Sequence, residues 1–330
     1  MATRRLPPLA LLACASATGC SGWQSALDAR GSGSRALEAL FWPVTAALAL
    51  VWLAVMLVLA AALLRRRRPV PAQAARRSEI AVWAATLATV LVITVLTVAS
   101  HLTTRHISRA AADPLVIQVR GYQWWWQVTY PDSDGTGAVV TANEIHLPVG
   151  RQVRLELSSA DVIHSFWVPS LTGKQDMIPG RDNQLTFVAE TPGILRGQCA
   201  EFCGLQHAHM ALLMVVEPPA EFEAWLAAQR QEAAPPAGPM LRDGQRIFEQ
   251  RPCGACHRVR GTAAAGEIGP DLTHFASRGT LAAGVLPMTR GAIAAWIADP
   301  QTIKPGNNMP LVPLAPDELQ AVSAWLASLR

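Results

Sequence analysis

The chain has 330 residues, which leaves room for two or three domains at the usual size of about 100–200 residues each. Hydrophobic residues make up 51% of the chain and charged residues only 16%, with a formal net charge of +4 at pH 7. This apolar fraction argues against one large soluble core and indicates membrane-spanning segments. The small net charge gives no reason to expect a nucleic-acid partner.

Residues 1–19 have the outline of a secretory signal peptide. Arg4 and Arg5 come first, an apolar run follows, and small residues lead to Cys20. This order is typical of an export signal. The Gly-Cys-Ser-Gly junction resembles a bacterial lipoprotein cleavage site, with Cys20 as the lipidated mature N-terminus. Cys14 is a second candidate, and a signal with an unmodified Cys20 is the alternative.

Residues 40–102 are predicted to form a transmembrane hairpin. The apolar stretches 40–64 and 80–102 contain no Asp, Glu, Lys or Arg, and a helix needs about 20 such residues to cross a hydrocarbon core. Six arginines lie between the two stretches, and arginine-rich short loops stay in the cytoplasm. Residues 20–39 and the whole chain after residue 103 are therefore expected on the outer side.

Residues 114–228 alternate between short β-rich runs and turn residues, which predicts a sandwich or barrel. The candidate strands are 115–119, 124–130, 144–147, 152–157, 184–188 and 212–216. Three consecutive tryptophans lie in the second strand. Since successive strand residues point to opposite faces, Trp124 and Trp126 share one face and Trp125 lies on the other.

The segment Cys-Ala-Glu-Phe-Cys-Gly-Leu-Gln-His-Ala-His-Met, residues 199–210, is a candidate metal loop. Thiolate, thioether and imidazole ligands together select copper over hard cations. Cys199 and Cys203 are close enough in sequence for both sulfurs to bridge a pair of metals. His207 and Met210 follow, and the second imidazole would come from His164. The alternative is one tetrahedral zinc ion bound by the two cysteines and two histidines.

A polar, proline-rich linker at 229–239 precedes a third unit at 240–330. This unit contains Cys253-Gly-Ala-Cys256-His257, the pattern of covalent c-type haem attachment. His257 would be the proximal iron ligand. A thioredoxin-like motif is the alternative, disfavoured by the adjacent histidine and by the absence of a βαβ pattern.

Haem c needs a second axial ligand, and methionine opposite histidine is the pair of cytochromes c. Met309 lies in a loop before the predicted C-terminal helix 319–329, as in small class I cytochromes c, and Met288 is the rival. The segment Ile-Gly-Pro-Asp-Leu, 268–272, is similar to the one in that family whose proline carbonyl accepts the second N–H of the proximal imidazole.

The motif Cys-x-Glu-x-Cys-x-x-x-His-x-x-Met, with the run 143–180 before it, resembles the binuclear copper (CuA) loop of cytochrome c oxidase subunit II. The whole chain resembles the caa-type subunit, in which a cytochrome c domain is fused at the C-terminus. The resemblance implies a multidomain membrane protein with a two-helix transmembrane hairpin, a cupredoxin-like Greek-key β-barrel and an all-α class I cytochrome c domain.

The resemblance also implies a ligand set. Cys199 and Cys203 bridge two copper ions, His164 and Met210 complete one, and His207 with the backbone carbonyl of Glu201 completes the other. The Glu201 side chain would bind a magnesium ion shared with subunit I. An exposed Trp124 would accept electrons from cytochrome c, whereas Trp125 and Trp126 pack. Two other histidines receive no role. His209 is expected to be exposed or next to the ligands, and His146 is expected on the exposed face of a strand.

The implied function is electron transfer from fused haem c to the copper pair and on to subunit I, which reduces oxygen to water coupled to proton translocation. Expected partners are subunit I, further oxidase subunits and a periplasmic donor such as cytochrome c. The expected location is the bacterial inner membrane, with both outer domains periplasmic. The alternatives are the corresponding subunit of a CuA-containing nitric oxide reductase and a membrane-tethered copper-binding module. Glu79 could mark a proton path in the family, but here a solvated carboxylate is the expectation.

Charge also predicts how the outer domains meet. Residues 114–228 hold 12 acidic and 6 basic residues, a formal −6, and residues 240–330 hold 7 and 9, a formal +2. Opposite fields steer transient encounters. We therefore expect tethered, transient docking of the cytochrome domain on the copper domain.

Overall fold

The computed structural model describes residues 21–64, 72–107, 113–131 and 137–330. The expected signal peptide, the lipidation candidates Cys14 and Cys20, and Arg65–Arg68 of the loop expected in the cytoplasm lie outside the described residues.

Two helices, α1 (Ser32–Leu64) and α2 (Ala72–Ile107), correspond to the predicted hairpin and extend beyond it at both ends. Both are long and apolar enough to cross a membrane, and their apolar segments are exposed along their whole length. Hydroxyl groups within α2 are satisfied by the helix itself, since Thr86, Thr89, Thr94 and Thr97 each donate to the carbonyl four residues earlier. Such bonding lets polar side chains lie in an apolar medium.

Ten strands form the middle domain as two five-stranded sheets. The first sheet has the order β3-β2-β1-β5-β8 and the second β4-β10-β9-β6-β7. The strands are β1 (Leu115–Tyr122), β2 (Trp125–Tyr130), β3 (Val139–Ala142), β4 (Glu144–Pro148), β5 (Gln152–Ser159), β6 (His164–Trp167), β7 (Gln175–Met177), β8 (Asn183–Val188), β9 (Gly193–Cys199) and β10 (Ala211–Glu217). The predicted cupredoxin-like fold is confirmed.

The core lies between the two sheets, and it follows from the alternation in the sequence. In β5 and β2 every second residue is buried, as expected for strands with one face on a core. The six predicted strands are present, while β3, β6, β7 and β9 escaped prediction. β6 and β7 are too short to alternate visibly, and β9 holds Gly193 and Gly197, which are unfavourable in strands.

The segment before α1 lies along this domain. The amide of Arg30 donates to Ser170 O at 2.7 Å, and that of Arg196 donates to Trp23 O at 2.9 Å. The Ser34 hydroxyl donates to Ser170 O at 2.6 Å. These bonds fix residues 23–34 on the surface of the β-domain.

A short helix, α3 (Pro219–Gln229), ends the β-domain, and the C-terminal domain is helical, as predicted. Its helices are α4 (Pro239–Gln250), α5 (Cys253–Cys256), α6 (Arg290–Ala298), α7 (Pro300–Ile303) and α8 (Pro316–Leu326), with the two-residue strands β11 (Thr280–Leu281) and β12 (Leu286–Pro287). Its first and last long helices, α4 and α8, pack together. Phe248 and Trp325 meet there with ring centroids 5.0 Å apart.

The two outer domains are in direct contact. The amide of Gly279 donates to Glu144 Oε2 at 2.7 Å, and the amide of Ala211 donates to Ala283 O at 3.0 Å. Within the linker, Ala233 N donates to Arg260 O at 3.0 Å. The linker therefore lies along the cytochrome domain.

Candidate functional site

The candidate copper ligands converge because of the strand pairing. Cys199 ends β9, and β6 pairs with β9 so that Phe166 lies opposite Cys199. His164, two residues earlier on β6, therefore points to the same end of the sheet. The amide of Cys199 donates to Met210 O at 2.9 Å, which closes the loop between β9 and β10. His164 is the first residue of β6.

The four other expected donors surround the two cysteine sulfurs. Cys199 Sγ lies 3.7 Å from Cys203 Sγ, 3.9 Å from His164 Nδ1 and 3.2 Å from Glu201 O. Cys203 Sγ lies 3.7 Å from His207 Nδ1 and 3.9 Å from Met210 Sδ. With metal–thiolate bonds of about 2.3 Å, sulfurs at this separation can both contact the same metal.

The two thiols are buried, and the hydrogen bond between them shifts their pKa values in opposite directions. A hydrogen bond from Cys203 lowers the pKa of Cys199 to about 3, with His164 acting in the same direction. The same pairing, together with burial, raises the pKa of Cys203 well above its usual value. One thiolate is therefore available at neutral pH before any metal binds, and thiolate is the form that binds metals.

His164 is held by two groups that the sequence analysis did not single out, Asp161 and Gly121. Its Nε2 lies 2.8 Å from Asp161 Oδ1, which leaves Nδ1 directed at Cys199. Burial lowers the pKa of His164, but hydrogen bonds to Cys199 and Asp161 outweigh it, so the pKa is raised. A Cβ at Gly121 would lie 2.9 Å from His164 Cδ2, so only glycine leaves room for the ring. The sequence signal that could have identified this partner is the carboxylate of Asp161, three residues before the candidate ligand His164.

Two other histidines lie near the loop or on a neighbouring strand. His209 is exposed, as expected. His146 is only 8% exposed, so its expected surface position is wrong. Its Nδ1 lies 2.9 Å from Glu217 Oε1 and its Nε2 3.0 Å from Glu144 Oε1, and its ring stacks on Trp225 at 4.0 Å. β4 lies under α3, which buries every residue of this strand.

Trp124 differs from the expectation in its exposure. Only 7% of it is exposed, because residues 304–306 of the cytochrome domain cover it. Its Nε1 donates to Cys203 O at 2.9 Å, which connects the indole directly to a candidate ligand. Trp126 is fully buried and Trp125 stacks on Tyr122 at 4.6 Å, but Trp124 lies in the turn before β2 rather than in the predicted strand.

The candidate haem site has a preformed proximal side. Cys253 and Cys256 lie at the two ends of α5 and are both free thiols. His257 Nδ1 lies 2.8 Å from Pro270 O, which is the contact implied by the resemblance and leaves Nε2 for iron. Burial lowers the pKa of His257, which favours the neutral ring that a metal needs. A Cβ at Gly269 would lie 2.5 Å from His257 Cε1, so the chain closes tightly around this ring.

The two candidate axial methionines have different surroundings. Met288 packs against the apolar core of the cytochrome domain. Met309 lies in the loop after α7, where its amide donates to Asn307 Oδ1 at 2.8 Å and its carbonyl accepts from Gln301 Nε2 at 3.0 Å. The backbone around Met309 is thus fixed from both sides, whereas Met288 serves as a core side chain.

Two family models match the two outer domains. "Cytochrome C oxidase subunit II, periplasmic domain" matches residues 115–217, and "Cytochrome c" matches residues 241–330. The first of these families implies copper binding and the second implies haem c. The donor sets described above fit both groups.

Curated relatives agree with these matches. "Cytochrome c oxidase subunit 2" of Alkalihalophilus pseudofirmus is 37% identical over 66% of this chain and 62% of its own length, so the match leaves more than a third of that relative uncovered. "Probable cytochrome c oxidase subunit 2" of Rickettsia bellii is 32% identical over 51% of this chain and 69% of its own length. The solved periplasmic domain of subunit II of the Bradyrhizobium japonicum oxidase is 33% identical, with a TM-score of 0.34, covering 38% of this chain and 96% of that one.

Proposed function

Because the chain belongs to the cytochrome c oxidase subunit II family, we propose that it is the electron-accepting subunit of a haem-copper terminal oxidase. Haem c and a copper pair, when bound, supply the one-electron carriers. Subunit I, a separate chain, would reduce oxygen to water coupled to proton translocation. The observation that carries the proposal is the arrangement of two imidazoles, a thioether and a backbone carbonyl around two buried thiols, beside a cytochrome c domain.

We assign the metal ligands as two copper sites sharing both sulfurs. Cys199 and Cys203 would contribute to both sites, His164 and Met210 would complete one, and His207 with the Glu201 carbonyl would complete the other. The ligating atoms of His164, Cys199 and Cys203 all lie within 4.8 Å of one another, whereas His207 lies outside that group and approaches Cys203. This spread supports two adjacent metals over one tetrahedral zinc ion, which needs four donors around a single point.

The contacts of the chain support a direct route between its two domains. Residues 304–306, which precede the proposed axial ligand Met309, lie against Trp124, and Trp124 donates to the carbonyl of Cys203. We therefore assign Trp124 as the residue through which the cytochrome domain couples to the copper site. Cys253 and Cys256 would attach haem c, with His257 and Met309 as axial ligands.

The remaining assignments concern partners and location. The Glu201 side chain is partly exposed, and its Oε2 lies 4.0 Å from Lys174 Nζ. It is therefore free of the copper cluster and available for a magnesium ion shared with subunit I. Both outer domains would lie on the periplasmic side of the inner membrane, where a soluble cytochrome c or another donor reduces the fused haem.

Purification of the chain with its subunit I tests the proposal. The complex should consume oxygen with reduced cytochrome c as donor, and its outer domains should show the absorption and paramagnetic signals of a mixed-valence copper pair. Nitric oxide consumption without oxygen consumption would identify the related nitric oxide reductase instead. Zinc in place of copper, or one copper per chain, would contradict the ligand assignment.

A further inference from the structure

We propose that Lys304 is a positioning residue that locks the cytochrome domain onto Trp124, and this inference rests on the proposed function. Lys304 is only 3% exposed, although lysine is almost never fully buried without partners. Burial lowers the pKa of its amine to about 7. Burying an amine is unfavourable unless hydrogen bonds compensate for the lost water. The partners of this amine show which contact it stabilises.

The Lys304 amine donates to three carbonyl oxygens on both sides of the domain contact. Its Nζ lies 2.7 Å from Trp124 O and 2.8 Å from His209 O, both in the copper domain. The third acceptor, Ala282 O at 3.1 Å, belongs to the cytochrome domain. Three acceptors match the three N–H donors of an ammonium group. The side chain therefore joins the residue proposed to couple the two centres to the loop that carries Met309.

Around Lys304, the cytochrome domain and the copper domain lie so close together that three glycines of the cytochrome domain leave little room for a side chain. In the cytochrome domain, a Cβ added at Gly279 would lie 2.7 Å from Leu213 Cδ1, and one at Gly284 would lie 2.9 Å from Ala211 Cβ. One at Gly306 would lie 3.1 Å from Leu205 Cδ1. Side chains larger than glycine would hold the domains apart at each point, so the contact depends on close docking rather than on long-range attraction.

Next to Lys304, Gln206 Nε2 donates to Pro305 O at 2.9 Å. The cytochrome domain therefore presents a short loop, residues 304–306, whose backbone is bonded to the copper loop and covers the Trp124 ring. In the locked arrangement Trp124 is closed to an external donor, and electrons must reach copper through the fused cytochrome. A chain that has lost the lock would still hold the cytochrome nearby through its linker, at an effective concentration of about millimolar.

The test uses the purified complex and three variants. Lys304→Met keeps an aliphatic side chain and removes the N–H donors. Gly279→Val adds a bulky side chain to the same domain contact, far from the Met309 loop. Arg246→Met removes an exposed positive charge on α4 and is the control. Haem c is reduced by a light pulse, and the rate of copper reduction is followed by absorbance. Hydrogen exchange reports the amides of Gly279 and Ala211, whose acceptors lie across the contact.

Lys304→Met should slow copper reduction about tenfold or more, because losing one hydrogen bond of a charged group weakens the domain contact by about that factor. Gly279→Val should also slow it, because the added side chain holds the domains apart. Exchange of both amides should rise, while the haem absorption and potential stay unchanged and Arg246→Met behaves like the parent. If Lys304→Met does not accumulate, Lys304→Gln, which retains one donor group, should give an intermediate rate. An unchanged rate in the lysine variants, or a lost methionine–iron absorption band, overturns the lock. Absence of transfer in the parent protein would instead contradict the proposed function.

Discussion

The proposed copper and haem sites of this chain are built in different ways. The thiols and thioether proposed to bind copper belong to the buried core of the β-domain: Cys199, Cys203 and Met210 are 4%, 3% and 1% exposed. The attachment residues of the haem site, Cys253, Cys256 and His257, are all partly exposed. The proposed copper-binding sulfurs are thus part of the protein core, whereas the proposed haem-attachment residues are only half-buried.

This difference follows from the size of the two groups. A metal ion needs a few donors at fixed positions, and a loop between paired strands can supply them without changing the core. Haem is larger than any side chain, so the helices around it can close fully only with haem between them. The comparison predicts that the β-domain folds before it is metallated, while the cytochrome domain depends on its haem.

The largest effect is expected from preventing haem attachment. Cys253→Ser with Cys256→Ser should remove covalent haem and most of the helical signal of the cytochrome domain in circular dichroism, because part of its core is then missing. Cys199→Ser with Cys203→Ser should remove the copper signals but leave the β-domain folded, at a cost of about 1–3 kcal/mol per buried hydroxyl. If the cytochrome domain had the same melting temperature without haem, the predicted difference between the two domains would be contradicted.

A smaller effect is expected from the support of the copper ligands. Asp161→Ala removes the partner of His164 Nε2, 2.8 Å away, and loss of such a partner typically weakens metal affinity about 10–100-fold. Competition with a chelator, measured by the copper absorption, checks this. Asp182→Ala, at an exposed aspartate just before β8, is the matched control and should bind copper like the parent. Equal affinities in both variants would mean that the core alone orients His164.

How much of this could be predicted from the sequence depends on whether a feature is local. The spacing within residues 199–210 and within Cys253–His257 is local, and the structure brings these residues together as expected. The alternation in β2 and β5 is local too, and it predicts their buried faces. The contact between His257 and Pro270 spans only 13 residues and followed from the resemblance.

The features missed by the sequence are those created by tertiary contacts. His146 alternates with Glu144 on a short strand, a pattern typical of an exposed face, yet α3 brings Trp225 onto its ring and buries it. The burial of Lys304 depends on a partner 180 residues away in sequence, and no local pattern encodes such a pairing. The exposure of Trp124 was inferred from the family resemblance. That inference did not include the contact with residues 304–306 of the fused cytochrome domain.

The smallest effect is expected in the packing of the cytochrome domain itself. A Cβ at Gly244 would lie 2.2 Å from Ala321 O, where α4 crosses α8. Gly244→Ala should therefore destabilise this domain by about 1–3 kcal/mol, the usual cost of overpacking, with no change in the copper signals. The melting of the haem absorption band measures it.

Gly291→Ala is the matched control for this substitution. Gly291 lies in α6, and a Cβ there would meet nothing within 4 Å. Since alanine is the better helix former, this variant should be neutral or more stable by up to about 1 kcal/mol. If Gly244→Ala behaved like Gly291→Ala, the helices would have room to separate without haem loss, and the dependence of this domain on its prosthetic group would be weaker than the comparison requires.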